Sequence, residues 1–206
     1  MYKQLKWNQE FDLGNYNLWF TSDLHLFHKN ILGLDKRPYK DTHEMYEDIL
    51  TKWNSKVKET DHVFILGDVV WGSAKQSITN FCKKTNGHKH LILGNHDKEK
   101  DDNLIAFDTV DRMAKIIVHD KPNKDQSIFM SHYPLISWDG SFRGVWDLFG
   151  HCHDNLPKEK MVSNQCDIGW STRWEFTNKA YDIYSFEDVK NKINYLNSKR
   201  GEIERY

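Results

Sequence analysis

Histidine, aspartate and asparagine recur at the ends of short apolar runs, a placement that suits metal chemistry. Leu18-Trp19-Phe20 leads into Ser22-Asp23-Leu24-His25, and Val63-Phe64-Ile65-Leu66 into Gly67-Asp68. Leu91-Ile92-Leu93 leads into Gly94-Asn95-His96-Asp97, and Ile128-Phe129-Met130 into Ser131-His132. A fifth run, Val145-Trp146 through Leu148-Phe149, ends on Gly150-His151-Cys152-His153. A lone histidine or Gly-Asp pair is ordinarily a turn or a surface feature; the ordered recurrence carries the reading. Mixed carboxylate, imidazole and amide donors suit manganese first, with iron, zinc or nickel as alternatives, better than a calcium site or a soft thiolate ion. Asp23, His25, Asp68, Asn95, His132, His151 and His153 exceed what one ion needs. Two divalent ions sharing a bridging carboxylate would use them all.

The elements that must position these groups follow from pattern. Apolar runs this short, bounded by glycine or polar residues, predict buried strands. Ligands gather outside the carboxyl ends of strands in open α/β sheets, so one sheet edge is expected to collect the candidates. Gly67, Gly94 and Gly150 each precede a candidate ligand, where the missing Cβ lets backbone approach a bound ion. Asp23 and His25 are two apart, as are His151 and His153, so each pair can point one way from extended chain, with Cys152 facing away. Asp41 with Glu44 predicts a capped helix carrying Met45, Ile49, Leu50, Trp53 and Val57. Ala74, Ile78, Phe81 and Cys82 predict a second helix. Ser185 caps a third, with Phe186, Val189, Ile193 and Leu196 on one face. Met113 to His119 and Ser127 to Ser131, joined by a turn over Lys121 to Asp125, read as a hairpin. The class is α/β, with residues 1–206 as one domain.

Composition narrows the partners. With 29 basic and 30 acidic residues, the formal net charge is -1, and neither a nucleic-acid-coating nor a membrane-surface protein is expected. The first ten residues are polar, unlike a secretory signal, and no apolar run is long enough to span a bilayer. Cys82, Cys152 and Cys166 lack CxxC spacing and read as reduced thiols of a cytoplasmic protein.

At the motifs above the chain resembles the calcineurin-like metallophosphoesterases, whose pattern is DxH, GD, GNH followed by Asp or Glu, an isolated His, then GHxH. Phe20 to Asn30 further resembles a small bacterial and phage subgroup of phosphoesterases. The resemblance implies two facing β-sheets flanked by helices. It implies that Asp23, His25 and His153 hold a first ion and Asn95, His132 and His151 a second, with Asp68 bridging. It also implies hydrolysis of a phosphate ester by metal-activated hydroxide, with His96 protonating the leaving oxygen and Asp68 and Asn95 serving the catalytic site. Protein phosphatases and dinucleoside-tetraphosphate hydrolases of the family carry Val-Asp-Arg-Gly after Gly-Asp. Here the sequence is Gly67-Asp68-Val69-Val70-Trp71-Gly72, without that arginine. The GHxH ending looks more like the phosphodiesterase and nuclease side, so a small phosphodiester or nucleotide-type substrate is expected. A phosphomonoester is the alternative, followed by a nuclease role. A non-catalytic scaffold of the same fold is expected to lack the histidine at position 96, which this chain keeps.

Other residues carry weaker expectations. His28 could reach a substrate phosphate, and Arg143 could grip one. Trp71, Trp138 and Trp170 could stack a base, though core packing is the plainer reading. His43, His62, His88, His90 and His119 lack a spacing argument and read as surface or loop residues. Lys83-Lys84 and His88-Lys89-His90 read as a solvated face.

Overall fold

Alternation within the apolar runs sends side chains to both faces of each strand, and both faces are buried. The computed structural model describes residues 2–72, 75–98, 102–157, 160–172 and 181–203. Ala74 of the expected second helix lies outside them. One sheet runs in the order β1 (Gln9–Asp12), β6 (Met113–His119), β7 (Gln126–Ser131), β8 (Trp146–Phe149), β9 (Gln165–Asp167). The other runs β10 (Tyr184–Ser185), β2 (Leu18–Thr21), β3 (His62–Ile65), β4 (His88–Ile92), β5 (Thr109–Asp111). Strands β2 to β5 pair in parallel, as do β7 to β9. The expected hairpin is the antiparallel β6–β7 pair. The expected α/β sandwich of two facing sheets flanked by helices is therefore present. The short strands β1, β5, β9 and β10 had no readable pattern.

Two apolar layers hold the sandwich. Leu18, Phe20, Phe64, Leu66 and Ile92 of one sheet meet Ile116, Val118, Ile128, Met130 and Leu148 of the other. Val63, Ile65 and Leu91 face outward against helices. There they meet Met45, Ile49, Leu50 and Trp53 of α2 (Thr42–Lys56) and Ile78, Phe81 and Cys82 of α3 (Lys75–Lys84). Asp41 caps α2 by accepting from the N–H groups of His43 and Glu44, while Glu44 accepts from Lys40 N–H rather than from the cap. In α4 (Phe186–Ile203), Phe186, Val189 and Ile193 pack into the layer between the sheets. Ser185 and Asp188 cap its start reciprocally. The three cysteines are free, and no described helix is long and apolar enough to cross a membrane.

Four of the histidines read as surface or loop residues, His62, His88, His90 and His119, lie in strands, though His88 is exposed as expected. His62 and His88 begin β3 and β4 in register, and His90 lies opposite Phe64. His90 is buried, its Nε2 2.9 Å from Nδ1 of His62 and its Nδ1 2.9 Å from Thr109 Oγ1. Lys89 is buried too, with its ammonium donating to the Thr85 and Gly87 carbonyls, so Lys83, Lys84 and His88 are the members of that cluster on a solvated face. Apolar runs mark only the later part of each strand, and His62 and His88-Lys89-His90 extend β3 and β4 on the amino-terminal side of those runs. His43 is exposed, as expected, and His119 sits at the sheet surface in an ion pair with Asp125.

This pair gives the fold an acid sensitivity remote from the candidate site. Burial, chiefly, pushes His62 down to about 4 and His90 to about 3. In the unfolded chain both titrate near 6.5. As pH falls from about 6.5 towards 4, the unfolded chain takes up protons that the folded chain refuses, so stability is lost with acid. Chelator-treated protein should lose on the order of 2–3 kcal/mol from His90, and less from the half-exposed His62, between pH 7 and pH 4.5. Denaturant melts of wild type and His90→Gln would check it: the variant should show the flatter pH dependence, and equal slopes would sink the idea.

Candidate metal centre

Strand ends place the chemistry. Asp23, Asp68 and Asn95 follow β2, β3 and β4, while His132 and His151 follow β7 and β8. The candidates thus come from the carboxyl edges of two sheets, not the single edge expected from pattern. A Ser22–Gly169 bridge and the His151 N–H, which donates to both Asp23 carboxylate oxygens at 3.2 and 2.9 Å, tie those edges together. A further ladder runs between the first two loops. Asp23 N–H donates to the Gly67 carbonyl, His25 N–H to Asp68, and Leu26 N–H to Val69.

The paired ligands do converge, but not through extended chain. Asp23, His25, Asp68, His151 and His153 all have φ between 48° and 66°. Left-handed backbone at non-glycine residues costs on the order of 1–3 kcal/mol each and clusters at functional sites. Two glycines make the approach possible. A Cβ on Gly94 would strike the Asp68 carboxylate, and one on Gly150 would strike Ser22 Oγ and the Asp23 carboxylate.

Donor atoms gather in two overlapping sets. Asp23, His25 and His153 each offer an atom within 4.8 Å of the others, and so do Asp23, Asp68 and His132. Asp68 Oδ1 accepts from His96 N–H at 2.9 Å. Its Oδ2 lies 3.6 Å from His25 Nε2 and 3.5 Å from His132 Nε2. Asn95 Oδ1 sits 3.0 Å from both His132 Nε2 and His151 Nδ1. Cys152 is in neither set, and burial pushes its thiol up to about 11, which agrees with its exclusion as a ligand.

The residues fit a cation on independent grounds. Both ring nitrogens of His25 are buried with no hydrogen-bond partner among the described residues. An unsatisfied buried polar atom ordinarily costs about 1–3 kcal/mol, and coordination would remove that deficit at one of the two nitrogens. Burial above all, with His153 next, pushes His25 down to about 2, keeping the imidazole neutral as a ligand must be. Burial likewise pushes Asp23 up to about 6, a cost that neighbouring positive charge would relieve. His132 Nδ1 contacts the Leu66 carbonyl at 2.6 Å, which assigns the proton there and leaves Nε2 its lone pair.

Several supporting residues had no role assigned from the sequence. Asp35 lies 2.8 Å from His153 Nδ1 and accepts from Ser171 Oγ at 2.6 Å and from Arg37. Burial opposes ionisation, yet the hydrogen bonds from His153 and Ser171 hold the Asp35 carboxyl down at about 2. Buried Arg37 in turn donates to the Leu24 and Asp23 carbonyls. Nothing in the spacing of Leu34-Asp35-Lys36-Arg37 marks these two. Asp97 accepts from the N–H groups of Asp68, Val69 and Gly94, bracing two ligand loops. Asp167 accepts from Gly169 N–H, Thr172 Oγ1 and Asp154 N–H. Asp35→Asn should weaken the cation held by His153 by about 10–100-fold, since orienting partners of ligating histidines contribute on that scale. Titration of chelator-treated protein with Mn2+ would show it; an unchanged Kd would remove Asp35 from the site.

The remaining expectations divide. His28 is buried and its ring stacks on Trp71 at 3.7 Å, next to the cluster. Trp71 is 38% exposed, so core packing does not describe it. Trp138 and Trp170 are buried, as packing predicts, and Trp138 Nε1 donates to the Val145 carbonyl. Arg143 is exposed and pairs with Asp139 at 3.2 Å.

A two-sheet sandwich whose strand ends converge buried aspartates and histidines is compatible with a metal-dependent phosphoesterase. Residues 16–198 match the calcineurin-like phosphoesterase model, and the chain belongs to that family. It is similar to the Gene 66 protein of Mycobacterium phage L5, with 35% identity across 90% of this chain and 98% of the phage protein. It is also similar to the uncharacterized protein MJ1445 of Methanocaldococcus jannaschii, at 27% identity over 73% of this chain and 82% of the relative. The crystal structure of AQ665 from Aquifex aeolicus, a protein of unknown function, shares the fold. Its TM-score is 0.61 at 22% identity, covering 86% of this chain and 99% of that one.

Proposed function

We propose that this chain is a dinuclear metal-dependent phosphoesterase that hydrolyses a small phosphodiester or nucleotide-type substrate, with manganese as the working ion. The observation that carries this reading is Asp68 Oδ2, equally near His25 Nε2 and His132 Nε2 at 3.6 and 3.5 Å. One carboxylate oxygen between two imidazoles of different donor sets supports a bridging role. Asp23, His25 and His153 would hold one ion; Asn95, His132 and His151 would hold the other. When bound, the ions supply hydroxide from water near neutral pH and neutralise phosphoryl charge. The chain itself would hold the ligands of those ions through Asp35 and Asp97, and the position of His96 beside Asp68, with Nε2 3.9 Å from Oδ2, supports its reading as proton donor to the leaving oxygen. The near-neutral charge fits a small substrate better than a long nucleic acid. The free cysteines fit a reducing, cytoplasmic setting.

Loading with Mn2+, dialysis and metal analysis should return two ions per chain. A panel of monoesters, diesters and cyclic nucleotides should then show the highest kcat/KM for diesters. One ion per chain would end the dinuclear reading; faster monoesters would replace the substrate; no hydrolysis with two ions bound would favour a scaffold.

A further inference from the structure

The His96 side chain lacks an obvious anchor. Among the described residues its ring makes no hydrogen bond, and its polar neighbour Asp68 Oδ2 is 3.9 Å away, beyond hydrogen-bond length. A proton donor must nevertheless be held to within a fraction of an ångström of the leaving oxygen. The ring meets two other rings: His25 edge-on, with centroids 5.5 Å apart, and Trp71 more closely, with centroids 4.4 Å apart and planes inclined by 52°. The indole is fixed from two further directions. Its backbone N–H donates to the Leu26 carbonyl at 3.0 Å, continuing the ladder that joins the first two ligand loops. Its ring lies on His28 at 3.7 Å with planes only 5° apart. His28 is itself buried, with Nδ1 lacking a hydrogen-bond partner among the described residues, and of its two ring contacts the Trp71 stack is much closer than the tilted one to His25 at 5.5 Å.

We propose that Trp71 is the positioning residue for His96, and that His28 serves as the buttress that fixes the indole. The inference rests on the reading of His96 as proton donor. Aromatic contacts stabilise a ring beyond the area they bury, which favours one rotamer of a half-exposed imidazole. An aromatic face would thus do by contact what a hydrogen-bonded carboxylate does for His153. The arrangement also explains why a tryptophan remains partly exposed beside a polar cluster.

The test uses metal-loaded protein and phosphate esters of rising leaving-group pKa. Misplacing the donor harms poor leaving groups most, because good ones depart without protonation. Trp71→Ala should lower kcat about tenfold or more for alkyl or ribose leaving groups and by less than about threefold for nitrophenyl esters. KM and metal content should stay unchanged, and Trp71→Phe should restore most of the loss. His28→Ala should behave like Trp71→Ala, whereas His28→Phe, which keeps a flat ring, should keep the wild-type pattern. A uniform loss across the series, a change confined to KM, or a lost metal ion would overturn the proposal. So would a His28→Phe variant as impaired as His28→Ala, since the imidazole itself would then be what matters. If His96→Ala shows no leaving-group selectivity, the donor reading and this inference fall together. If it does and Trp71→Ala does not, only this inference fails.

Discussion

Asp68→Asn should abolish turnover and weaken both metal ions at once. The substitution changes one oxygen to an amide nitrogen and little in volume, so the effect is electronic. Asp68 Oδ1 accepts the His96 N–H while Oδ2 lies near both His25 and His132. If the amide keeps its oxygen on the His96 N–H, it presents NH2 to the ions; if it flips, the His96 N–H loses its acceptor. Either arrangement removes a negative charge from between two cations, and an amide nitrogen has no lone pair to bridge with. The expected loss in kcat/KM is about 1000-fold or more, comparable to deleting a principal electrostatic contributor in other hydrolases. His153→Ala should differ in kind, because His153 Nε2 lies near Asp23 rather than Asp68, at 3.5 Å from its Oδ1. It should weaken one ion and leave the other. Metal content per chain after dialysis against manganese distinguishes the cases, and an Asp68→Asn protein that keeps two ions and full activity would end the bridging assignment.

His96→Ala should slow an ester with an alkoxide or ribose leaving group by about a hundredfold or more, the usual range for a general acid. The same variant should cost much less with a nitrophenyl ester, whose phenolate departs readily. Metal content should be unchanged, because His96 is not among the proposed ligands and contributes to Asp68 through its backbone N–H, which alanine retains. The measurement is kcat across a leaving-group series with metal analysis in parallel. Equal impairment across the series with both ions in place would mean that His96 positions phosphate; loss of an ion would mean that it is a ligand.

The sequence by itself determined the strands beneath the site, because five apolar runs each end on a polar residue at a sheet edge. It also determined which residues to watch. Asp23, His25, Asp68, Asn95, His132, His151 and His153 do come together, since strand direction and length fix where the following loop emerges. The α/β class and the helix starts at Asp41 and Ser185 were equally legible, being local hydrogen-bonding patterns. What only the tertiary structure decided involves residues brought close by packing rather than by period. Parallel pairing put β2 to β4 in one sheet and β7 and β8 in the other, so the candidates meet across two edges. The ligand loops turn through left-handed backbone, which no spacing of two residues reveals. Asp35 and Arg37 sit in a short charged connection with no motif, and they acquire roles only because Ser171 and His153 fold onto them from more than a hundred residues away. Trp71 looks like any loop tryptophan until His28 lies flat against one ring and His96 leans on it. Periodicity records which face a residue presents; a contact between two loops depends on where both sheets end, and that is fixed only when they pack.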